Sequence, residues 1–185
     1  MNVLALSGSL RQASINSALC RAAARLAPVP MQVSMFMGLG GLPLFNPDLE
    51  AQPPSAVQDF RRVVGQADAL LIASPEYAHG ISGAMKNALD WLVSFEGVVY
   101  KPIALVNTSP RAHHADAALR EVLKTMSTVL VADASIALPL LGGCITEEAM
   151  LESAPAREAI SASLAALATH LAGPAESAAN FPLAC

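Results

Sequence analysis

Two short stretches hold most of the chemistry that side chains of this chain can do. The first is Gly8-Ser9-Leu10-Arg11-Gln12-Ala13-Ser14-Ile15-Asn16-Ser17. Gly8 permits a tight turn without a Cβ clash. Ser9, Ser14 and Ser17 offer hydroxyl donors and Asn16 an amide donor. Arg11 can grip a phosphate through two parallel bonds. A helix starting at the end of this stretch adds unpaired N–H groups and the positive end of its dipole, which together bind an anion. The inventory fits a monophosphate; the alternative is a polar loop with an ordinary N-cap. The second stretch runs from Ser74-Pro75-Glu76-Tyr77-Ala78-His79-Gly80 to Lys86-Asn87-Ala88-Leu89-Asp90-Trp91. Pro75 stops a strand, and Gly80 and Gly83 allow close backbone approach. Such a loop can turn its backbone N–H groups toward the edge of a flat heterocycle.

Other residues invite chemistry and have simpler readings. His113 and His114 beside Asp116 look like metal ligands, but adjacent histidines point apart and no second ligand cluster lies nearby in sequence. An exposed helix start is the expectation, and no metal. Glu76 reads as a loop-stabilising carboxylate before a general acid. His79 either approaches a bound ring or faces solvent. Cys20, Cys144 and Cys185 are odd in number and widely spaced, which suits neither a disulfide framework nor a zinc site. Free or buried thiols in a reducing compartment follow. Cys20 is expected in the core, Cys144 is a reactive thiol only if exposed, and Trp91 belongs to the core or to a subunit contact.

The elements that must position these residues alternate. Apolar runs at residues 2–7, 31–37, 68–74, 102–108 and 129–138 read as strands, the last interrupted by Asp133. Helices are expected over 15–27 with Ser14 as N-cap, 55–66, 82–95, 114–127 and about 155–172. Residues 38–54, rich in proline and glycine, read as a long loop. This alternation implies an α/β, doubly wound, five-stranded parallel sheet with helices on both faces. Ligands of such sheets sit beyond the carboxyl ends of the strands, where both chemical stretches begin. A single domain over residues 1–173 and a loose C-terminal tail over 174–185 complete the reading.

Composition excludes several classes. The chain has 185 residues, of which 54% are hydrophobic and 14% charged, so disorder is excluded. A net charge of −4 with scattered Lys and Arg speaks against a nucleic-acid face. No apolar run reaches the ~18 residues a membrane span needs. Residues 2–7 run straight into a Gly-Ser turn, so a secretory leader is not expected and a cytoplasmic location is. There is no G-x-x-x-x-G-K-[ST] for ATP and no G-x-S-x-G for a hydrolase. Gly38-Leu39-Gly40-Gly41 does not match G-x-G-x-x-G and follows the wrong strand.

Gly8-Ser9-x-Arg11-x-x-Ser14-x-Asn16, Pro75-Glu76-Tyr77 and Lys86-Asn87-Ala88-x-Asp90-Trp91 together resemble the NADPH-dependent FMN reductase family. The resemblance covers residues 1–135 in order and spacing. It implies a flavodoxin-like fold of three layers, α/β/α, and an FMN-dependent NAD(P)H oxidoreductase. In such an enzyme a hydride passes from NADPH or NADH to flavin N5, then to a quinone-like or other small acceptor. It implies that Ser9, Arg11, Ser14, Asn16 and Ser17 hold the FMN phosphate, and that Pro75, Glu76, Tyr77 and Ala78 line the isoalloxazine. Ser109, after the fourth strand, joins the cofactor-binding set. Arg111, His113 and His114 are candidates for the NADPH 2′-phosphate. A homodimer or homotetramer is also implied. The chain departs from the family pattern at Ala78, where Asn is usual, and at Ser82, where Pro is usual. It departs again after the fourth strand, where Thr108–His114 replaces a longer Gly-Gly loop. These departures motivate a second reading, a catalytically lapsed FMN-binding or regulatory module. A third, a flavin-binding electron carrier, is opposed by Arg11 and by Pro75-Glu76-Tyr77.

Overall fold

The computed structural model describes residues 1–140 and 144–173. Strands β1 (Asn2–Ser7), β2 (Gln32–Met35), β3 (Ala69–Ala73) and β6 (Pro102–Asn107) carry the sheet. All pair in parallel, in the order β2-β1-β3-β6, with the fifth position filled by β7 (Val129–Leu130) and β8 (Ile136–Ala137). Helices α1 (Ile15–Leu26), α2 (Ser55–Gln66), α3 (Gly83–Asp90), α4 (His113–Thr125), α5 (Glu147–Glu152) and α6 (Ala154–Ala172) connect and follow the strands. None of the described helices is long and apolar enough to cross a membrane.

The period-two pattern of the strands divides two cores. Val3, Ala5, Leu71, Ala73, Ala104 and Val106 face α1 and α6. Leu4, Leu6, Leu70, Ile72, Ile103 and Leu105 face α2, α3 and α4. Both faces being covered, these strands read as continuous apolar runs rather than alternating ones.

Four expectations change. The fifth strand breaks into β7 and β8 around a 3-10 turn at Ala132–Ala134. Ser135 repairs the break, its Oγ accepting from the Leu105 N–H at 3.1 Å. α3 ends at Asp90 rather than running to 95: beyond it the chain tightens into i→i+3 turns, the Leu92 N–H donating to the Leu89 carbonyl at 2.9 Å and the Phe95 N–H to the Leu92 carbonyl at 3.0 Å. The segment after Pro75 is a two-stranded antiparallel hairpin, β4 (Glu76–Tyr77) and β5 (Gly80–Ile81), not a plain loop. Thr146 caps α5, which the sequence reading missed, through its Oγ1 and the Ala149 N–H at 3.2 Å. The expected tail, 174–185, lies outside the described residues.

Trp91 is core: it is fully buried and its Nε1 donates to the Pro43 carbonyl at 2.8 Å. Asn87 works beside it, accepting from the Phe45 N–H and donating to the same Pro43 carbonyl. The Lys86–Trp91 motif thereby pins the long 38–54 segment onto α3.

Candidate cofactor-binding site

β1 delivers its chain to the carboxyl end of the sheet, and Gly8 makes the turn there. A Cβ at Gly8 would stand 2.3 Å from the Ser74 Oγ and 2.9 Å from the Ser82 Oγ, so only glycine fits. Gly8 donates to the Ala73 carbonyl at 2.8 Å and accepts from the Ser82 Oγ at 2.6 Å. Ser82 also caps α3 through the Met85 N–H. The residue that departs from the family pattern thus ties the phosphate-type loop to the hairpin loop.

Ser14 is the N-cap of α1, its Oγ accepting from the Ser17 N–H at 3.2 Å. The N–H groups that open α1 have no intrahelical acceptor. Asn16 is buried, and its Oδ1 accepts from the Thr108 Oγ1 at 2.9 Å, which links α1 to the end of β6. The Ser17 Oγ shares a 2.8 Å bond with the Ser7 Oγ.

A cavity of about 580 Å³ opens at this helix start. It joins Ser9, Arg11, Ser14 and Asn16 from the first stretch to Pro75 and Tyr77 from the second. Ser17, Glu76, Ala78 and Ser109 lie outside its lining, each for a local reason. Ser17 is engaged with Ser7. Glu76 turns to α4: one carboxylate oxygen accepts from the Ala115 N–H at 2.8 Å and the other meets the His79 Nδ1 at 3.1 Å. These bonds hold its carboxyl below the usual range, the Ala115 N–H contributing most and His79 and His114 adding to it. α4 has no side-chain cap of its own, so Glu76 supplies one from the hairpin. Ala78, at φ 48°, and His79, at φ 60°, form the hairpin's two-residue turn. Ser109 closes the short loop after β6, its N–H donating to the Asn107 Oδ1 while the Asn107 Nδ2 donates to the Ala112 carbonyl.

The sequence reading missed one wall, formed by Ile145, Thr146, Glu147 and Glu148. The threonine cap and acidic first turn were the available signal. Glu147 is clamped by the Arg21 Nε at 3.0 Å and the Arg25 Nη1 at 3.5 Å. His113 and His114 form no ligand set: His114 packs against the rings of His113 and His79, with centroids 4.6 and 4.5 Å apart. Among the described residues no group of three or more His, Cys, Asp or Glu is placed to hold a metal ion. Cys20 is fully buried, which pushes its thiol up to about 12, and it is inert at neutral pH.

A parallel sheet in the order β2-β1-β3-β6-β7, with a cavity at the helix start on its carboxyl edge, defines a flavodoxin-like α/β protein. Residues 1–140 match the model of the NADPH-dependent FMN reductases, and the chain belongs to that family. It is 45% identical over 92 residues to an NAD(P)H-dependent FMN reductase of Pseudomonas aeruginosa, a match covering 49% of each chain. It is 38% identical over 112 residues to a 2-hydroxy-1,4-benzoquinone reductase of a Burkholderia species, covering 59% of this chain and 61% of that one. The chain therefore matches less than two thirds of the length of these relatives. Among solved structures, the flavoenzyme NAD(P)H:(acceptor) oxidoreductase FerB of Paracoccus denitrificans is 26% identical with a TM-score of 0.70. That likeness covers 91% of this chain and 98% of the other.

Proposed function

We propose that this chain is an FMN-dependent NAD(P)H oxidoreductase acting on quinone-like or other small acceptors. One observation carries the reading. A single cavity, within the ~300–1,000 Å³ typical of cofactor sites, unites a phosphate-type loop after β1 with Pro75 and Tyr77 after β3. The residues present fit FMN: the hydroxyls of Ser9 and Ser14, the amide of Asn16 and the guanidinium of Arg11 line the cavity at the α1 start.

Ser9, Arg11, Ser14 and Asn16, with the first N–H groups of α1, hold the phosphate. Pro75 and Tyr77 flank the ring, and half-exposed Tyr77 shields its edge. Glu76, Ala78, Ser17 and Ser109 act one layer out, fixing the hairpin, the helix and the β6 loop. The chemistry FMN supplies when bound is hydride transfer at N5, from NAD(P)H in and to the acceptor out. The chain's own contribution is to anchor one ring and leave a face on which a second can stack. Ser82, with two defined hydrogen bonds, argues against a lapsed module, since that departure has a structural purpose.

A homodimer or homotetramer is consistent with exposed Leu44 and Val93, and sedimentation velocity decides it. A cytoplasmic setting suits the free Cys20 and Cys144 thiols. The activity is tested by absorbance before and after anaerobic NADPH. Flavin bands that bleach support the reductase. Bands that persist reject it in favour of an electron carrier, and a colourless protein that takes up no FMN rejects the site.

A further inference from the structure

Asn16 lines the cofactor cavity, yet one end of its amide faces away from it. The Asn16 Oδ1 accepts from the Thr108 Oγ1 at 2.9 Å, and both side chains are buried. β3 lies between β1 and β6 in the sheet, so this bond reaches past β3 to join the start of α1 to the end of β6. Thr108 is a fixed point. Its carbonyl accepts from the Leu140 N–H at 3.1 Å, and the Asn107 carbonyl accepts from the Leu138 N–H at 2.8 Å. The Asn107 side chain holds the short loop that follows. The other end of the bond is fixed too. Ser14 caps α1, and Ser17, one residue beyond Asn16, is tied to Ser7.

A primary amide has one acceptor atom and one nitrogen with two donors, and it can turn either toward a neighbour. A phosphate dianion accepts hydrogen bonds and donates none. An amide oxygen turned toward it would repel it, so the orientation of Asn16 decides whether this residue helps or hinders binding. The Thr108 hydroxyl carries one proton and donates it to Oδ1. A carbonyl so engaged leaves Nδ2, with both its N–H groups, as the branch of the amide that reaches the cavity. We propose that Thr108 is a positioning residue for the cofactor phosphate, its hydroxyl locking the Asn16 amide with the donor end toward the cavity. The inference rests on the FMN reading above. It gives the short segment after β6 a part in the site, although neither Thr108 nor Ser109 lines the cavity. A purely structural tie between α1 and β6 would alter stability without changing which flavin binds.

The test titrates the full chain, stripped of flavin, with FMN and separately with riboflavin, by quenching of flavin fluorescence. Thr108→Val keeps the side-chain shape and removes the proton, so the amide is free to turn its oxygen to the phosphate. Its FMN affinity is expected to fall about tenfold or more, the effect of one hydrogen bond to a charged group, with riboflavin affinity unmoved. Thr108→Ser returns the proton and is expected to return FMN affinity to that of the parent. Asn16→Ala is expected to weaken FMN binding to the same degree as Thr108→Val, and the double variant to be no weaker than Asn16→Ala alone, because both changes remove one contact. Asn16→Asp keeps an acceptor for Thr108, suits the first turn of a helix and puts a carboxylate oxygen in place of Nδ2. It reads the same contact should Thr108→Val fail to fold, and is expected to lose FMN binding while keeping riboflavin binding. Equal losses for the two flavins, additive losses in the double variant, or FMN affinity unmoved by Thr108→Val and Asn16→Asp overturn the proposal. A parent chain that binds neither flavin rejects the FMN reading itself, and the proposal with it.

Discussion

Arg11 carries the largest single share of the proposed phosphate grip. A hydrogen bond to a charged group contributes about 1.5–3 kcal/mol. Arg11→Ala is therefore expected to weaken FMN binding roughly 10–150-fold, measured by fluorescence titration of the apoprotein, with its denaturation midpoint unchanged. Ala78 presents the opposite case, a residue under backbone strain. Its φ of 48° lies in the left-handed region, which disfavours a Cβ. Ala78→Gly is expected to raise stability by about 0.5–1 kcal/mol, read from urea denaturation. Asn, usual in the family at this position, tolerates the same conformation and is expected to act in the same direction. A lower midpoint for both variants would contradict the turn geometry.

At the scale of elements, the hairpin and α4 stand or fall together through Glu76. Its carboxyl is held below the ordinary value of about 4.3 by the Ala115 N–H and His79. A depressed carboxyl contributes stability that is fully present above the unfolded pKa and lost as pH falls through the folded one. Glu76→Gln is therefore expected to be less stable than the parent at pH 6–8, with the gap closing below about pH 4. Denaturant midpoints across that range check it; a gap independent of pH would mean that the charge is not what joins hairpin to helix. The pinning of the 38–54 segment is a second joint between elements. Trp91→Phe removes the indole donor while the Asn87 Nδ2 still bonds the Pro43 carbonyl, and loss of that one hydrogen bond is expected to cost about 0.5–1.5 kcal/mol, seen in the thermal midpoint and as faster proteolysis within 38–54.

For the molecule as a whole, folding and cofactor binding are linked, because the loop after β1, the segment after β3 and the 145–148 wall form the cavity only when the sheet brings them together. A ligand bound only by the folded state stabilises it by about 2.7 kcal/mol at 100 times its Kd. For a chain of this size that corresponds to a rise of roughly 5–10 °C in Tm, measured by scanning with added FMN. Riboflavin, which lacks the phosphate, is expected to give a clearly smaller rise, and equal rises would remove the phosphate loop from the account.

The strand–helix alternation, the parallel sheet and the Ser14-capped start of α1 are legible in the sequence because each rests on short-range pattern. A fully buried strand is a run of apolar residues, and Ser14 caps α1 using atoms three residues apart. The aim of individual side chains was not legible. Glu76 sits in a motif that points to the ring, yet it turns to the Ala115 N–H, 39 residues away in sequence. Ser82 bonds to the Gly8 carbonyl across 74 residues, and Thr108 to Asn16 across 92. The 145–148 wall stands where it does because Arg21 and Arg25 hold Glu147. Local propensity and period-two burial determined the elements from the sequence alone. Only the tertiary structure decided which donors converge on one cavity, because that depends on contacts between segments that no local pattern encodes.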